Sequence, residues 1–390
     1  MIAASVDDFR NIARRRLPAF LFEYIDGGSY AQTTLARNTA DLQAIALRQH
    51  VMRDVSHLDL STCLFGQTLA MPVVLGPVGL AGLYAQRGEV QAANAAHAAG
   101  VGFCLSTVSV CPIAEVAQGL RPPAGDPNGA QPIWFQLYML RDRGFVAGML
   151  EKARAAGCTT LVFTVDLPVA GARYRDVHSG LSGGSGVRNR ARMLAQMLTH
   201  PAWALDVGFG GRPHTLGNVA PMLRDGAVLG EFMAWLSANM DASVTWADIA
   251  WVRAQWPGAL VIKGVLTADD ARAACDAGAD GIVVSNHGGR QLDGVQSTAR
   301  VLPGIADAVA DRLVVLADSG VRSGLDVVRL LALGARGVLL GRAWAFALAA
   351  GGQAGVAQML AILQAEMRVA MALTGCTSIA AINRDILDRG

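Results

Sequence analysis

Charge of either sign is scarce in this chain. Only 16% of its 390 residues are Asp, Glu, Lys or Arg, and they nearly cancel to a formal net charge of +2. Such a balance gives no electrostatic footprint for nucleic acid, so no nucleic-acid partner is expected. The six cysteines (Cys63, Cys104, Cys111, Cys158, Cys275 and Cys376) contain no CxxC pair, and the seven histidines show no zinc-ligand spacing. The thiols therefore read as reduced and mostly buried, in a cytoplasmic protein with no metal. No uninterrupted apolar run reaches about 18 residues, the length a membrane-spanning helix needs. The first residues, MIAASVDDFRNIARRRLP, place acids before arginines and lack the apolar core of a signal peptide. There is no P-loop and no HExxH, and Gly208-Phe209-Gly210-Gly211 does not sit at a strand-to-helix turn, which removes the Rossmann reading. What the chain has in quantity is apolar residues (52%) and glycine (44). Disorder is thereby excluded, and the core is large enough to need no disulfide or metal. The length allows two domains or a single α/β barrel. The positive mean hydropathy hints at an apolar surface or an oligomer interface.

Residues 1–70 read as an outer helical segment. Ser5 with Asp8 forms a capping pattern before FRNIARRRL, Pro18 opens AFLFEYI, which stops at Asp26-Gly27-Gly28, and a third helical stretch covers about 31–42. From residue 71 short apolar runs alternate with helical patterns: Val73–Leu75, Val101–Leu105, Ile133–Leu137, Leu161–Val165, Leu260–Ile262, Gly281–Val284, Leu313–Leu316 and Val338–Leu340. Continuous apolar runs between helices indicate parallel strands buried on both faces, and eight of them indicate a (β/α)8 TIM barrel. A doubly wound sheet is the alternative fold. The expected organisation is one domain over 1–390, with the N-terminal helical segment at 1–70, the barrel at 71–350 and C-terminal helices at 351–390. Two segments interrupt it. Arg121–Pro132 is a Pro/Gly-rich insertion, and roughly 176–230, after the fourth strand, is a long connection without clear periodicity, which makes it functional or mobile.

The strand ends carry the chemistry. Each run finishes in a polar or glycine residue, and in a barrel all eight ends meet at one mouth, where active sites are built. After the sixth run comes SNHGGRQLD, which sets His287 three residues before Arg290 on a glycine-rich loop. Arginine grips a carboxylate through two parallel hydrogen bonds, and histidine takes a proton near neutral pH. Asp166, after the fourth run, suits the role of orienting His287. Asp318-Ser319-Gly320-Val321-Arg322 and Gly341-Arg342 follow the last two runs, where barrels often hold phosphate on backbone N–H groups and arginines. Lys263, at the inner end of the fifth run, needs a partner or a function.

These residues carry a resemblance. The chain resembles the FMN-dependent L-2-hydroxy-acid oxidase and dehydrogenase family, most specifically through SNHGGRQLDG, and nearly end to end through LPAFLFEYIDGG, MPVVLGPVGLAG, LSTVSVCPIAEV, WFQLY, LVFTVDLPVAGARYRD, VIKG and LADSGVRSGLDVVRLLALGARGVLLGR. ALRQ, RDRGF, THPAW and DVGFGGRPH are most similar to its bacterial respiratory branch, while the insertion near residue 125 departs from that branch. The resemblance implies FMN as cofactor and assigns roles position by position. His287 would be the base and Asp166 its carboxylate partner. Tyr24, Tyr138, Arg173 and Arg290 would bind substrate. Ser106, Gln136 and Thr164 would contact the flavin ring, with Lys263 near N1/O2 and Pro77, Val78 and Gly79 facing N5. Asp318, Gly320, Arg322, Gly341 and Arg342 would hold the ribityl chain and phosphate. Some members carry a large aromatic where this chain has Val108, and a smaller valine suits a compact substrate without excluding a larger one.

The activity implied is oxidation of L-lactate to pyruvate, with electrons passed to a respiratory acceptor such as a membrane quinone. An oxygen-using L-2-hydroxy-acid oxidase, or a dehydrogenase for another 2-hydroxy acid such as mandelate, is the alternative. Gly79 would favour the dehydrogenase through its lack of a methyl beside N5; the alternative is that the turn needs glycine for φ > 0, with no bearing on the acceptor. The resemblance further implies a homo-oligomer, a tetramer, attached peripherally to the cytoplasmic face of the inner membrane. The expected contact is 176–230, with Arg188, Arg190 and Arg192 meeting anionic headgroups and Trp203 and Phe209 at the interface; the alternative for this segment is a mobile lid.

Overall fold

A computed structural model describes residues 2–121, 132–182, 186–223 and 235–388. The Pro/Gly-rich insertion therefore falls almost wholly outside the described residues, as does part of 176–230.

Ten strands are described. A small antiparallel hairpin, β1 (Thr62–Leu64) and β2 (Gln67–Leu69), precedes eight parallel strands: β3 (Val73–Leu75), β4 (Gly102–Ser106), β5 (Trp134–Leu137), β6 (Thr160–Thr164), β7 (Ala259–Val265), β8 (Gly281–Val284), β9 (Val314–Ala317) and β10 (Gly337–Leu340). The eight close into a barrel, with β10 hydrogen-bonded to β3, and helices follow the strands as the alternating pattern predicts. This is a (β/α)8 TIM barrel.

The side-chain period of two decides what lies inside. One inward residue per strand forms an apolar layer: Val74, Cys104, Trp134, Val162, Val261, Val283, Leu316 and Leu339. The hairpin packs against this layer through Leu64, Leu69 and Phe65 and closes the end of the barrel at which the strands begin. Phe65 meets the Trp134 ring edge-on at 5.6 Å, and the indole N–H donates to Gln67 at 3.0 Å. Side chains on Gly281 and Gly337 would come within 2.8 Å of Phe65 and 2.7 Å of Leu64, so both strands begin with glycine where the hairpin enters. The hairpin departs from the purely helical reading of residues 1–70. Its two-residue turn places Phe65 at φ 49° and Gly66 at φ 79°, and Phe-Gly is not one of the pairs that normally announce such a turn.

The N-terminal helices Val6–Arg16, Ala19–Asp26 and Thr33–Gln43 wrap the opposite end. The first starts on Ser5, whose hydroxyl accepts the Asp8 N–H at 3.2 Å. The second ends at Gly27, so that Tyr24 and the carbonyls of Tyr24 and Gly27 reach the barrel mouth. Helix Arg342–Thr374 is, by length and composition, apolar enough to cross a bilayer, although no uninterrupted apolar run reaches that length. Its backbone breaks at Gly351 and Gly352, and Ala343–Ala349 are buried against the barrel, as befits a core helix.

The stretch after β6 is more regular than its sequence suggests: helices Tyr174–Ser179 and Val187–Leu198 lead through Pro201–Trp203 into a wide turn, Ala204–Phe209. Phe209 is exposed, but Trp203 is not the surface residue expected of it. It is buried edge-on against Phe20 at 6.2 Å and donates its indole N–H to the Leu83 carbonyl at 2.8 Å, so the segment is stapled to the barrel by that ring. Arg192 is exposed, while the side chains of Arg188 and Arg190 lie outside the described ones.

Candidate active site

Two residues beyond each member of the apolar layer, the same inward parity brings a second ring to the mouth: Gly76, Ser106, Gln136, Thr164, Lys263, Ser285, Asp318 and Gly341. The apolar layer gives way to hydroxyl, amide, ammonium and carboxylate groups within one step along six of the strands, and to glycine after β3 and β10. Above this ring opens a cleft. It is lined by Tyr24, Pro77, Val78, Gly79, Tyr138, Thr164, Arg173, Lys263, His287, Arg290, Asp318, Gly320, Arg322, Gly341 and Arg342. Ser106, Gln136 and Asp166, the other residues singled out in the sequence, do not line it and stand behind it.

His287 and Asp166 come together across 121 positions of sequence, Nδ1 to Oδ1 at 2.9 Å. Burial raises the Asp166 carboxyl, but the neighbouring imidazole and the Lys263 ammonium outweigh it and hold the group below its ordinary range. The carboxylate is then an acceptor only, so Nδ1 carries the hydrogen and Nε2 presents a lone pair. Burial also pushes the imidazolium pKa down, with Lys263 and Arg173 adding to it and Asp166 opposing, so His287 is neutral at pH 7. A neutral imidazole with a free Nε2 and an ionised partner behind it is a base.

Asp166 owes its place to Gly264. Between β7 and β8 the register slips at Lys263/Val265, Gly264 takes φ 112°, and a side chain there would come within 2.6 Å of the Asp166 Cβ. Lys263, one residue earlier, turns its ammonium inward, 3.1 Å from Asp318 and 2.9 Å from the Ser285 hydroxyl. Burial disfavours that charge, but Asp318 and Asp166 outweigh it and the pKa is raised.

Two guanidiniums face the cleft beside His287. Arg290 lies over the Tyr24 ring at 4.7 Å and donates through Nη1 to the carbonyls of Tyr24 (2.5 Å) and Gly27 (2.9 Å). Arg173 is mostly buried, which together with repulsion from Arg290 pushes its pKa down, and Asp176 reaches it only at 3.9 Å. The pair is short of negative charge. Tyr138 is buried close by, and burial first and Asp166 second raise its pKa, keeping the phenol protonated.

The remaining residues can be tested against a flavin nucleotide. Gln136 accepts from Ser106 (3.1 Å) through Oε1, while its Nε2 and the Thr164 hydroxyl are buried without a partner among the described residues. One orphaned donor and one donor/acceptor beside Lys263 suit the polar edge of a heteroaromatic ring. Arg342 gives all its described hydrogen bonds to carbonyls (Ile25, Gly27 and Gly288), and Arg322 bonds its neighbour Val321. Neither forms an ion pair among the described residues, and burial pushes the pKa of both down, that of Arg342 far down. Two such cations without an ion pair, Arg342 at the start of helix Arg342–Thr374 and Arg322 over Phe346 of its first turns, suit a phosphate. The site therefore fits FMN.

The sequence did not reveal the supports. Tyr84 donates to the Gly79 carbonyl at 2.7 Å and the Trp344 indole to that of Gly76 at 3.0 Å, fixing the turn through Pro77–Gly79. Gln291 donates to the Asp166 carbonyl at 2.9 Å. Only the inward parity of Ser285 could have flagged its part. Gly79 is not in the left-handed region, so φ does not demand glycine there. Space does, because a methyl would stand 2.8 Å from Val108 and 3.4 Å from the Tyr24 hydroxyl.

The family model for FMN-dependent dehydrogenases matches residues 13–389. The chain is 63% identical over 387 residues to L-lactate dehydrogenase of Caulobacter vibrioides strain NA1000 / CB15N, covering 99% of this chain and 98% of that protein. It is 60% identical over 387 residues to L-lactate dehydrogenase of Azorhizobium caulinodans, covering 99% of each. Among solved structures it is similar to the monotopic membrane protein (S)-mandelate dehydrogenase, with a TM-score of 0.90, 36% identity and full coverage of both chains.

Proposed function

The chain belongs to the FMN-dependent dehydrogenase family, and on that premise we propose that it oxidises L-lactate to pyruvate, with His287 as the base. The observation that carries the reading is the pair of guanidiniums, Arg173 and Arg290, short of a counter-charge beside a neutral, oriented imidazole. A 2-hydroxy carboxylate supplies what is missing. Its carboxylate meets the two guanidiniums, and its hydroxyl-bearing carbon comes to lie beside His287. Tyr24 and the protonated Tyr138 orient the hydroxyl and carboxylate. Nε2 of His287 takes a proton from the substrate, and ionised Asp166 stabilises the imidazolium that forms. FMN, when bound, supplies the two-electron acceptor. Ser106, Gln136, Thr164 and Lys263 would hold its ring, Pro77, Val78 and Gly79 would face its reactive edge, and Asp318, Gly320, Arg322, Gly341 and Arg342 would hold its ribityl phosphate.

The names of the similar proteins support L-lactate as substrate. The similar solved structures are named for mandelate, and Val108, which lines the cleft, is small, so mandelate is the second reading. Anaerobic addition of L-lactate, D-lactate and (S)-mandelate to the purified holoenzyme, followed by flavin bleaching, decides it. L-Lactate should bleach fastest and D-lactate not at all; faster bleaching by mandelate would replace the substrate.

Electrons then pass to a respiratory acceptor, which we take to be a membrane quinone, with the enzyme peripheral on the cytoplasmic face of the inner membrane. Support comes from the segment after β6, where Val187, Leu194, Leu198, Leu205 and Phe209 are exposed beside exposed Arg192, and from the monotopic membrane protein with the same fold. A second group of exposed apolar residues, Val51, Met52, Val369 and Leu373, is available for self-association into a tetramer. Fractionation with and without the segment 187–209, and the mass of the detergent-extracted enzyme, test these two assignments. Peroxide formed in step with turnover under air would replace the quinone by oxygen.

A further inference from the structure

Two non-glycine residues at the mouth hold left-handed backbone, His287 at φ 57° and Ser319 at φ 77°. L-residues other than Asn, Asp and His seldom adopt that region, and where they do the surroundings must enforce it. At both positions the enforcing contacts belong to one hydrogen-bond circuit. The N–H of His287 donates to the Ser285 hydroxyl at 3.0 Å, and the same oxygen accepts from the Lys263 ammonium at 2.9 Å. The N–H of Gly288 donates to the Ser319 hydroxyl at 3.1 Å, and that hydroxyl donates to Asp318 Oδ1 at 2.7 Å. The other oxygen of Asp318 lies 3.1 Å from Lys263.

The N–H of His287 lies in the peptide plane before its Cα, and the N–H of Gly288 in the plane after it. Clamping both planes fixes φ and ψ of His287, which set the direction of its Cα–Cβ bond and the rotamers open to its ring, while Asp166 holds Nδ1. The two clamps start on different strands, β8 and β9, and both end on Lys263, from β7. We infer that Ser319, acting with Ser285, is a positioning residue for the His287 imidazole, and that the two hydroxyls tie the orientation of the base to the Lys263–Asp318 ion pair.

A serine at φ 77° makes little sense as packing. Glycine would adopt this backbone without strain. What serine adds is a hydroxyl that accepts from the Gly288 N–H while donating to the Asp318 carboxylate. The inference rests on the reading of His287 as the base.

Two variants of the holoenzyme separate hydroxyl from backbone. Ser319→Gly removes the hydroxyl and relieves the strained φ; Ser319→Ala removes the hydroxyl and keeps the strain. Flavin content, thermal melting and stopped-flow flavin reduction by L-lactate are measured for each, with rates expressed per bound flavin. Both variants should reduce flavin on the order of 10-fold more slowly at saturating substrate, with KM changed much less, because a slightly misaimed base slows the chemical step rather than binding. Ser319→Gly should melt higher than Ser319→Ala. A parental reduction rate in Ser319→Gly would overturn the inference, including the case in which Ser319→Ala alone is slow or fails to fold, since backbone strain would then be the whole effect. His287→Gln run beside them keeps the two readings apart. If it too reduces flavin at the parental rate, the base assignment has failed; if it is slow while Ser319→Gly is not, only the positioning role has failed.

Discussion

The two ends of the barrel are built from the same eight strands and differ by a single step of the side-chain period. At the end where the strands begin, the inward layer from Val74 to Leu339 is apolar and is closed by Leu64, Phe65 and Leu69 of the hairpin. At the end where they finish, the next inward residues include Ser106, Gln136, Thr164, Lys263, Ser285 and Asp318, and Gln136 Nε2 and the Thr164 hydroxyl are buried there without a partner among the described residues. One end is sealed by the protein itself and the other opens into the cleft. Stability is therefore concentrated at the closed end, and chemistry at the open one.

Substitutions at the two ends should be separable, and the largest effect is expected at the mouth. His287→Gln should keep its FMN spectrum and its melting temperature while flavin reduction by L-lactate falls roughly 10²–10⁴-fold. Stopped-flow reduction measures this, and an unchanged rate would place the base elsewhere. Trp134→Ala at the closed end should show the reverse, a loss of roughly 3–5 kcal/mol in unfolding free energy with the rate per folded, flavin-loaded molecule nearly retained. Denaturant titration beside single-turnover kinetics checks it. A loss of rate as deep as that of His287→Gln would show the two ends to be one unit.

Arg322→Ala should sharpen the contrast within the mouth itself. Losing one charged hydrogen-bonding group to the phosphate should weaken FMN retention about 10- to 100-fold, read by flavin release on dilution, with a smaller change in the rate of the loaded enzyme. The smallest effect concerns pH. Burial lowers the His287 pKa from its ordinary 6.5, and only the neutral ring accepts a proton. Activity should therefore persist as pH falls past 6.5 and be lost only as pH passes the lowered pKa, so the acid limb of kcat/KM lies below 6.5. A limb above 6.5 would mean that Asp166 dominates over burial.

The closed end was also the harder one to foresee. The mouth announced itself because strand ends are local: an apolar run followed by Asp-Ser-Gly or Ser-Asn-His is visible within ten residues, and the barrel brings eight such ends together whatever their spacing. The hairpin was not visible, because Phe65-Gly66 is an unusual turn pair and its purpose appears only where Leu64 and Phe65 meet Gly337 and Gly281, more than 200 positions away.

The sequence by itself determined the eightfold alternation, the loops that carry His287, Arg290, Asp318 and Arg342, and the absence of any dinucleotide or metal signature, because period and strand-end chemistry are written in neighbouring residues. Only the tertiary structure decided which of those groups touch. It turned Trp203 inward to staple the segment after β6 and made Gly264 the space that admits Asp166. It required glycine at position 79 for want of room rather than for its φ. It also placed Ser285 and Ser319 on either side of His287. Each of these depends on a distance between residues far apart in the chain, which no local pattern encodes and which closure of the barrel sets.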